Sequence, residues 1–575
     1  MKDFRREIAV AIAAQEKIKE VGLDEASVYE ILEVPADEKM GDYAFPCFRL
    51  AKAFKKAPNA IAEKLAGLIT VPAAEKVENV AAYINFYLDR GEVAAEVLKT
   101  VLSEGDGFGS SLLGKGKTAI VEYSSPNIAK PFHIGHIRST VIGSAIGNIM
   151  KFLGYDVTRI NHLGDYGTQF GKLIVAYRRY GSKEEVEAEP IKTLLKYYVE
   201  FHKLAEDDPT LEVEARETFS KLEQGAEEEY ELWKWFREES LKEFTVVYEM
   251  LGIEFDSYAG ESFYSDKMDR VIDELEEKNL LQESDGAMIV DLEEYDLGKA
   301  LIKKSDGSTL YITRDIAAAI YRKETYDFYK NLYIVASQQD LHFKQWIKIV
   351  ELMGYDWAAD CVHIPFGLVR LENGAMQTRT GNVVFLEDVL RGAVEKTREI
   401  IIEKAVNTDD VEEMSKTVGI GAVIFQELHN NRIKDYTFSW DKVLNFEGET
   451  GPYVQYSHAR AASLLKRASE DGIVPSMEGL ASASKYLTSD SSFALVKALF
   501  NLPETIEEAG LKYEPSILTR HIVDIAQAFN GFYHEEHIFA LDAKERDAKL
   551  LLVKCAKQAL ANSLGLLGVG APERM

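Results

Sequence analysis

The stretch Glu122-Tyr-Ser-Ser-Pro-Asn-Ile-Ala-Lys-Pro-Phe-His-Ile-Gly-His136 places two histidines around a glycine where an apolar strand gives way to a helix. Residues 118–123 before it include a short apolar run of the kind buried in a parallel sheet. From Ile137 to Phe152 apolar residues recur at three- and four-residue intervals, which is helical spacing. The sequence therefore predicts that both histidines lie in the first helical turn, beside its free N–H groups and positive dipole end, where anions bind readily.

The spacing of the two histidines suggests a chemical role. His133 and His136 are three residues apart and share a helix face, so both imidazoles can point at one phosphoryl group and stabilise charge on the transferred phosphorus. Gly135 lacks a Cβ and lets a base or ribose approach the backbone. Two other interpretations stay open on spacing alone, because His-x-x-His pairs also bind metals and a histidine at a helix start can be a cap.

Length and composition are those of a multidomain globular protein. The 575 residues are 46% hydrophobic and 28% charged, and no apolar run approaches the length of a membrane span. The first residues lack the apolar core of a secretory signal, so we expect a cytoplasmic protein. The three cysteines, Cys47, Cys361 and Cys555, are too far apart for a zinc pattern and too few for a disulfide framework, which predicts reduced core residues and no structural metal.

The net charge of −28 argues, at face value, against nucleic acid as a partner. The acidic residues are concentrated, however, in segments such as 184–189 and 227–231, whereas charges in 450–575 are nearly balanced. A basic face on this last segment therefore remains compatible with the composition.

Further blocks of sequence carry a family resemblance. Together with the opening stretch they resemble, in order and spacing, the motifs of class I aminoacyl-tRNA synthetases, and specifically of arginyl-tRNA synthetases. The blocks are Asn161-His-Leu-Gly-Asp-Tyr-Gly-Thr-Gln-Phe-Gly171, Leu310-Tyr-Ile-Thr-Arg-Asp315, Ile334-Val-Ala-Ser-Gln-Gln-Asp-Leu-His342, Thr378-Arg-Thr-Gly-Asn-Val-Val384 and Gly448-Glu-Thr-Gly-Pro-Tyr-Val-Gln-Tyr-Ser-His458.

Element order and resemblance together predict an α/β multidomain fold whose catalytic domain is a Rossmann-type doubly wound parallel sheet. The predicted parts are an N-terminal α+β domain that contacts tRNA (1–112), the catalytic domain (113–385) with an acidic, helix-rich connective insertion at about 181–300, a helical linker region (386–447), and an all-helical anticodon-binding bundle (448–575).

A guanidinium group carries five donors and no acceptor, so a pocket for arginine needs a carboxylate supported by a hydroxyl or aromatic surface. Tyr311 and Asp315 supply both, four residues apart at the start of a predicted helix; without the family, a capping acid beside a core tyrosine is the alternative. The resemblance implies that this pair grips the guanidinium. It further implies that the rest of the arginine site consists of Glu122, Ser125, Asn127, His136 and Gln339. His162 and Asp165 follow the next strand and are candidates to line the same crevice, with bonding to the local backbone as the alternative.

The second class I signature is altered in this chain. Where the family usually has Lys-Met-Ser-Lys-Ser, residues 375–382 read Ala-Met-Gln-Thr-Arg-Thr-Gly-Asn, so the position of the critical lysine is Thr378. Another cation is needed at the phosphates. Arg379 and Lys130 are the candidates, and many relatives use a lysine at the position of Lys130. The resemblance thus implies an ATP site of Lys130, His133, Gly135, His136, Met376, Thr378 and Arg379, with Lys130, His133 and His136 catalytic.

The resemblance predicts an arginine–tRNA ligase that uses ATP with Mg²⁺, L-arginine and tRNA(Arg). The lack of a long apolar run predicts no membrane association, and we expect a monomer. The resemblance places tRNA contacts at Tyr83 and Asn85 in the N-terminal domain, and aromatic and amide residues suggest Tyr453 and Tyr456 in the C-terminal bundle, helped by Gln455, His458 and Arg460. At each position, packing within the domain is the alternative. Two other functions stay open: a noncatalytic tRNA-binding paralogue, and a class I synthetase specific for another amino acid.

Overall fold

The computed structural model describes residues 1–304, 311–371, 384–403, 410–445, 447–475, 480 and 484–575. These residues form two compact units. The first consists of Met1–Phe108, Arg460–Leu502 and Asp524–Leu560, and the second of Gly109–Ala459, Pro503–Val523 and Ala561–Met575. The C-terminal segment 448–575, treated as one domain in the sequence prediction, contributes to both units.

The N-terminal part of the first unit packs helices on a small antiparallel sheet with the strand order β1-β3-β2. Its strands are β1 (Tyr43–Pro46), β2 (Ala74–Val80) and β3 (Tyr83–Leu88), and its helices are α1 (Phe4–Ala13), α2 (Glu16–Glu20), α3 (Glu25–Ile31), α4 (Ala51–Phe54), α5 (Pro58–Ala66) and α6 (Arg90–Glu104). The middle strand β3 is the most apolar of the three, which explains its central position between β1 and β2.

The second unit is built on a four-stranded parallel sheet with the strand order β10-β9-β4-β5. The strands are β4 (Thr118–Glu122), β5 (Asp156–Ile160), β9 (Lys330–Ala336) and β10 (Cys361–Phe366), connected by helices that include α7 (Ile137–Phe152), α8 (Gln169–Tyr180), α14 (Tyr311–Tyr326) and α15 (Asp340–Leu352). The chain runs outward from β4 to β5 and later returns on the other side of β4 to form β9 and β10. The Rossmann-type prediction is confirmed, and the topological switch point lies between the carboxyl ends of β4 and β9, where open α/β sheets bind ligands.

The insertion between α8 and α14 is mostly helical, as predicted, but also contains a sheet that the prediction omitted. Its helices are α9 (Lys183–Ala188), α10 (Pro190–Asp207), α11 (Thr210–Glu223), α12 (Glu227–Leu251) and α13 (Met268–Glu277), and its antiparallel strands are β6 (Gln282–Ser284), β7 (Ala287–Asp291) and β8 (Lys299–Lys303). Asp285 and Gly286 both have positive φ and form the two-residue turn between β6 and β7. An Asp-Gly pair is a hairpin signal, so the sequence contained the information.

After the sheet the described chain is mainly helical, with one short parallel strand pair, β11 (Val369–Leu371) and β12 (Tyr436–Phe438). The helices are α16 (Leu386–Glu403), α17 (Val411–His429), α18 (Trp440–Val443), α19 (Gly451–Glu470), α20 (Asp490–Leu511), α21 (Pro515–Glu535) and α22 (Ala543–Leu566). The three cysteines are buried free thiols, as expected. Within the described ranges, no helix is long and apolar enough to cross a membrane.

A buried arginine fixes the start of α7 against neighbouring segments. The guanidinium of Arg138 is fully buried and donates to the carbonyl oxygens of Lys434 (2.7 Å), Gly367 (3.0 Å) and Asn431 (3.4 Å). Its Nε lies 3.5 Å from a carboxylate oxygen of Glu427, which is also buried. Because Gly367 precedes β11 and Lys434 precedes β12, this one side chain joins three segments of the second unit.

Arg138→Met is expected to lower the free energy of unfolding by about 3–5 kcal/mol, because it leaves buried polar groups without a partner.

The pH dependence of the free energy of unfolding should report on the buried carboxyl group of Glu427 beside Arg138. Burial raises the pKa of Glu427 to about 8, and Arg138 opposes that rise. A carboxyl with a raised folded-state pKa stabilises fully below its unfolded pKa, about 4.5, and this contribution is lost as the pH rises through about 8.

Thermal unfolding of the full chain, followed by circular dichroism at several pH values, tests both statements. Glu427→Gln removes the titration, so the wild type should lose stability relative to this variant between about pH 5 and pH 8. Parallel loss of stability in wild type and Glu427→Gln over that range would contradict the assignment.

Candidate active site

The signature turn differs from its predicted geometry. His133 is the N-cap of a 3₁₀ turn, Ile134–His136, that precedes α7, so the histidines lie before the α-helix and not within its first turn. The Nδ1 atom of His133 accepts from the N–H of Gly135 (3.1 Å), and Nδ1 of His136 accepts from the N–H of His133 (3.1 Å). The N–H of Ile134 donates to Val384 O (3.1 Å) and that of His136 to His133 O (2.8 Å). The prediction of free N–H groups at these four residues is therefore wrong: the two side chains and adjacent backbone carbonyls occupy them.

These contacts determine what the imidazoles can offer a ligand. In the tautomer in which each Nδ1 accepts a backbone N–H, the ring proton of each neutral histidine is on Nε2; Nδ1 of His136 also lies 3.2 Å from His133 O. Burial lowers the pKa of His133, while burial and then its neighbour His133 lower that of His136 to about 3. The ring centroids are 4.0 Å apart. The turn thus presents two neutral Nε2–H donors, and its charge must come from other groups.

The turn between β4 and this signature contains three non-glycine residues with positive φ: Ser124, Ser125 and Ala129. Asn127 on this turn pairs with Gly164 of the second sequence block. A Cβ added at Gly164 would lie 2.4 Å from Oδ1 of Asn127, so only glycine permits the approach. The first two blocks are thereby joined, with Ser125 partly exposed and Asn127 exposed at the edge of the sheet.

Glu122 ends β4 and is paired with a residue that sequence reasoning missed. Nη1 of Arg322 lies 2.5 Å from Oε2 of Glu122, and Nη2 lies 3.4 Å from Nδ1 of His162. The arginine is fully buried and lies two helical turns beyond Asp315 on α14. The only sequence signal was its seven-residue spacing from Asp315, which puts both residues on the same side of the helix.

Asp315 and Tyr311 differ in their surroundings. Oδ2 of Asp315 lies 2.5 Å from Nε2 of His342, which is in the first turn of α15 after β9. Tyr311 is 62% exposed at the start of α14. Gln339 is also exposed, in the 3₁₀ turn after β9. His342 belongs to a recognised block but was given no role from sequence.

The insertion supplies two further charged pairs that the sequence did not predict. Asp165 is buried and accepts from Nε of Arg237 (3.0 Å), from the N–H of Ser262 (2.8 Å) and from the hydroxyl of Ser262 (3.0 Å). Glu261 immediately precedes Ser262 in the chain, and its Oε2 lies 3.4 Å from Nη1 of Arg314. Burial raises the pKa of Glu261 to about 7, against the effect of Arg314. Asp165 is therefore fully bonded within the protein.

Electrostatic interactions connect these groups into one cluster. His162 interacts with Glu122, Arg322, Asp315 and Asp165, and burial, its largest influence, lowers its pKa. Glu261 in turn interacts with Asp315, Asp165 and Lys130. The charged residues predicted around the arginine and phosphate sites thus lie near one another at the switch point of the sheet.

Three predicted ATP-site residues, Met376, Thr378 and Arg379, lie outside the described residues. The residues that follow them are bonded to the signature: Phe385 forms a bridge with His133, and the N–H of Leu386 donates to Phe132 O (2.9 Å). No group of three or more His, Cys, Asp or Glu side chains that could hold a metal ion occurs in the described part of the chain.

The residues predicted to contact tRNA differ in how far their side chains are exposed. Asn85 is only 2% exposed in the centre of its sheet, whereas Tyr83 is partly exposed and packs edge-on against Phe48. In α19, Tyr453 is partly exposed and Tyr456 is 38% exposed.

Two of the helping residues in α19 are interior. Gln455 donates to the carbonyl oxygens of Gly570 (2.8 Å) and Thr417 (3.1 Å), and Nδ1 of His458 lies 2.9 Å from Pro572 O. Both side chains are buried, so a direct tRNA contact by Gln455 or His458 is the wrong interpretation, and the packing alternative applies. Arg460 bonds to Asn530 and lies over the ring of Tyr533.

Comparison with known proteins identifies the family. Three family models match in order: the arginyl tRNA synthetase N terminal domain at residues 5–88, the catalytic domain of tRNA synthetases class I (R) at 97–440, and the DALR anticodon binding domain at 454–575. The fold is that of the class I aminoacyl-tRNA synthetases.

Curated relatives narrow this assignment. The chain is 57% identical over 577 residues to the arginine–tRNA ligase of Clostridioides difficile and 55% identical over 576 residues to that of Halothermothrix orenii, with all of each chain covered. A solved structure of Thermus thermophilus arginyl-tRNA synthetase matches 99% of this chain and 100% of its own, with a TM-score of 0.81 and 25% identity. The chain belongs to the arginine–tRNA ligase family, as the sequence motifs predicted.

Proposed function

We propose that this chain is an arginine–tRNA ligase, which forms arginyl-adenylate from arginine and ATP and passes the arginyl group to tRNA(Arg). One observation carries the proposal. Around the switch point, the two Nε2–H donors of His133 and His136 suit a phosphate, and the carboxylate of Asp315, whose described partner is a histidine, suits a cation.

The balance of charge supports a cationic amino acid. Of the carboxylates in the cluster, Glu122, Asp165 and Glu261 are each paired with an arginine of the protein. Asp315 is paired with an imidazole, which is neutral in its unprotonated form. Asp315 therefore supplies the negative charge for a guanidinium. The exposed ring of Tyr311, one turn earlier, supplies a hydroxyl and a surface on which the guanidinium can stack.

In the first step, an oxygen of the arginine carboxylate attacks the α-phosphorus of ATP, and the bond to pyrophosphate breaks. The Nε2–H groups of His133 and His136 donate to phosphate oxygens as their negative charge grows, and Lys130 supplies positive charge. In the second step, a hydroxyl of the terminal tRNA ribose attacks the arginyl carbonyl carbon, and AMP leaves. No protein nucleophile is needed.

Mg²⁺ is expected to arrive on the phosphates of ATP. Among the described residues, no group of three or more His, Cys, Asp or Glu side chains is arranged to hold a metal ion. Mg²⁺ usually retains several waters and binds substrate phosphates directly. The roles derived for Lys130, His133 and His136 do not depend on a protein ligand to the metal.

For tRNA binding we propose Tyr83, Tyr453 and Tyr456, whose rings are at least partly exposed and can stack on unpaired bases. Asn85 would support Tyr83 from the interior of the sheet. We further propose that the protein acts in the cytoplasm as a monomer.

Exchange of pyrophosphate into ATP, measured for each amino acid with and without tRNA, tests the function. Arginine with tRNA(Arg) should give robust exchange, and the resemblance implies that arginine alone should not. Exchange with another amino acid would favour a synthetase of different specificity. No exchange under any condition, combined with retained tRNA binding, would favour a noncatalytic paralogue and overturn the proposal.

Lys130→Ala should slow adenylate formation at least about tenfold, corresponding to about 1.4 kcal/mol of lost transition-state stabilisation. The reason is that the signature histidines are neutral and Thr378 brings no charge, so a cation must come from elsewhere. Arg379→Ala is the matched control, since it removes the alternative cation. A loss of activity in the Arg379 variant together with full activity in the Lys130 variant would reassign the role to Arg379.

A further inference from the structure

Asp315 and His342 come from different helices but meet at the same edge of the sheet. Asp315 lies in the second turn of α14, and His342 lies in the first turn of α15, directly after β9. Oδ2 of Asp315 and Nε2 of His342 are 2.5 Å apart, within hydrogen-bond distance. The side chains are 31% and 25% exposed, so a ligand and solvent protons can both reach the pair.

The other carboxylates near this pair are each paired with an arginine, so the net charge of the pocket depends on Asp315 and His342. Glu122 is held by Arg322, and Asp165 is held by Arg237; both arginines remain charged in the pH range of enzyme activity. Glu261 is held by Arg314, and its pKa, raised to about 7 by burial, leaves it only a partial negative charge. The charge state of His342 therefore decides whether Asp315 faces a ligand as an unpaired carboxylate or as half of a closed ion pair.

We propose that His342 is a positioning and specificity-determining residue for the arginine side chain. As a neutral imidazole it donates Nε2–H to Oδ2 of Asp315, fixes the plane of the carboxylate, and leaves Oδ1 and the full negative charge for the guanidinium. As an imidazolium it neutralises Asp315 and competes with the substrate. The inference rests on the proposed function, because it requires arginine to be the amino acid that Asp315 receives.

Other titratable groups near the pair respond differently. On the β10 side, Nδ1 of His363 lies 3.1 Å from Asp340, and its ring stacks on Phe343. Burial lowers the pKa of His363 and of His162, the histidine nearest to Arg322. Protonation of either is thereby shifted toward lower pH. Glu261, which interacts with Asp315, gains negative charge as the pH rises through about 7.

Two variants of His342 distinguish the effect of its hydrogen bond to Asp315 from the effect of its positive charge. Glutamine places an N–H donor near the position of Nε2 but does not titrate, so His342→Gln should keep the hydrogen bond at every pH. His342→Ala removes both. His202→Gln, on α10 of the insertion, is the matched control for loss of a histidine away from this pair.

The test measures the KM for arginine in tRNA-dependent pyrophosphate exchange between about pH 5.5 and 8, with citrulline, the neutral isostere of arginine, as a competitive inhibitor. In wild type and His202→Gln, protonation of the imidazole should raise the arginine KM and lower the preference for arginine over citrulline in parallel. The KM for ATP should stay constant.

His342→Gln should show a flatter arginine profile, with only the shallow dependence that Glu261 contributes. His342→Ala should weaken arginine binding about tenfold at pH 8 with little change in kcat. An arginine KM in His342→Ala equal to that of wild type, or a profile in His342→Gln as steep as that of wild type, would overturn the proposal. Failure of the wild type to use arginine at pH 8 would instead overturn the proposed function.

Discussion

His133→Asn is expected to slow adenylate formation by roughly two orders of magnitude while preserving the signature turn. The imidazole has two separable tasks. Its Nδ1 accepts the N–H of Gly135 and caps the turn, and its Nε2–H is the proposed donor to the phosphate. The oxygen of asparagine can replace the cap, since asparagine is among the preferred N-cap residues, but its short side chain cannot reach the position of Nε2.

His133→Gln provides the opposite change. Its amide N–H can reach the Nε2 position, but the side chain no longer caps the turn with the same geometry. Single-turnover adenylate formation with tRNA present, together with the thermal midpoint of each variant, separates the two tasks. The asparagine variant should be stable and slow, and the glutamine variant less stable but faster. Near wild-type rates in a stable asparagine variant would show that the histidine acts only as a cap.

The sequence predicted the framework because its signals are local. A short apolar strand, a helix with regular apolar spacing and a second strand determine the first βαβ unit between Thr118 and Ile160. The family blocks then located the residues at the carboxyl ends of the strands. Local patterns did not reveal that the histidine side chains themselves accept the N–H groups of His133 and Gly135. They could not show that Ile134 donates to Val384, because that residue is 250 positions away in sequence.

The missed site residues share one cause. Arg322, Arg237, Arg314 and Glu261 reach the pocket from α14 or from the insertion, and each pairs with a residue distant in sequence. In sequence, each resembles a solvated charge on an amphipathic segment. Burial, which requires the tertiary structure, turns these charges into counter-ions for the pocket.

The predictions of tRNA contacts also failed where burial, which depends on the tertiary structure, decides the role of a residue. Gln455 and His458 alternate with tyrosines at the start of α19 in a pattern typical of base-stacking surfaces. In the fold, both are interior residues that bond the backbone at Gly570 and Pro572. An amide or imidazole beside aromatic residues can serve a ligand or a buried carbonyl equally well, and only its exposure decides between them.

Asp315→Asn is expected to weaken arginine binding by about 2–4 kcal/mol, roughly 30- to 1000-fold, with the affinity for ATP nearly unchanged. The amide oxygen can still accept the proton of His342, so the local geometry survives while the charge is lost. No nearby carboxylate can compensate, because Glu122 and Asp165 are already held by buried or partly buried arginines.

Tyr311→Phe is the matched control, since it removes one hydroxyl from an exposed ring and should cost only about 0.5–1.5 kcal/mol. The KM values for arginine and ATP in tRNA-dependent exchange check both variants. An unchanged arginine KM in Asp315→Asn would remove this carboxylate from the pocket. A larger effect from Tyr311→Phe than from Asp315→Asn would mean that the guanidinium is held mainly by the aromatic surface, because a lost charge should outweigh a lost neutral hydrogen bond wherever the carboxylate is the principal partner.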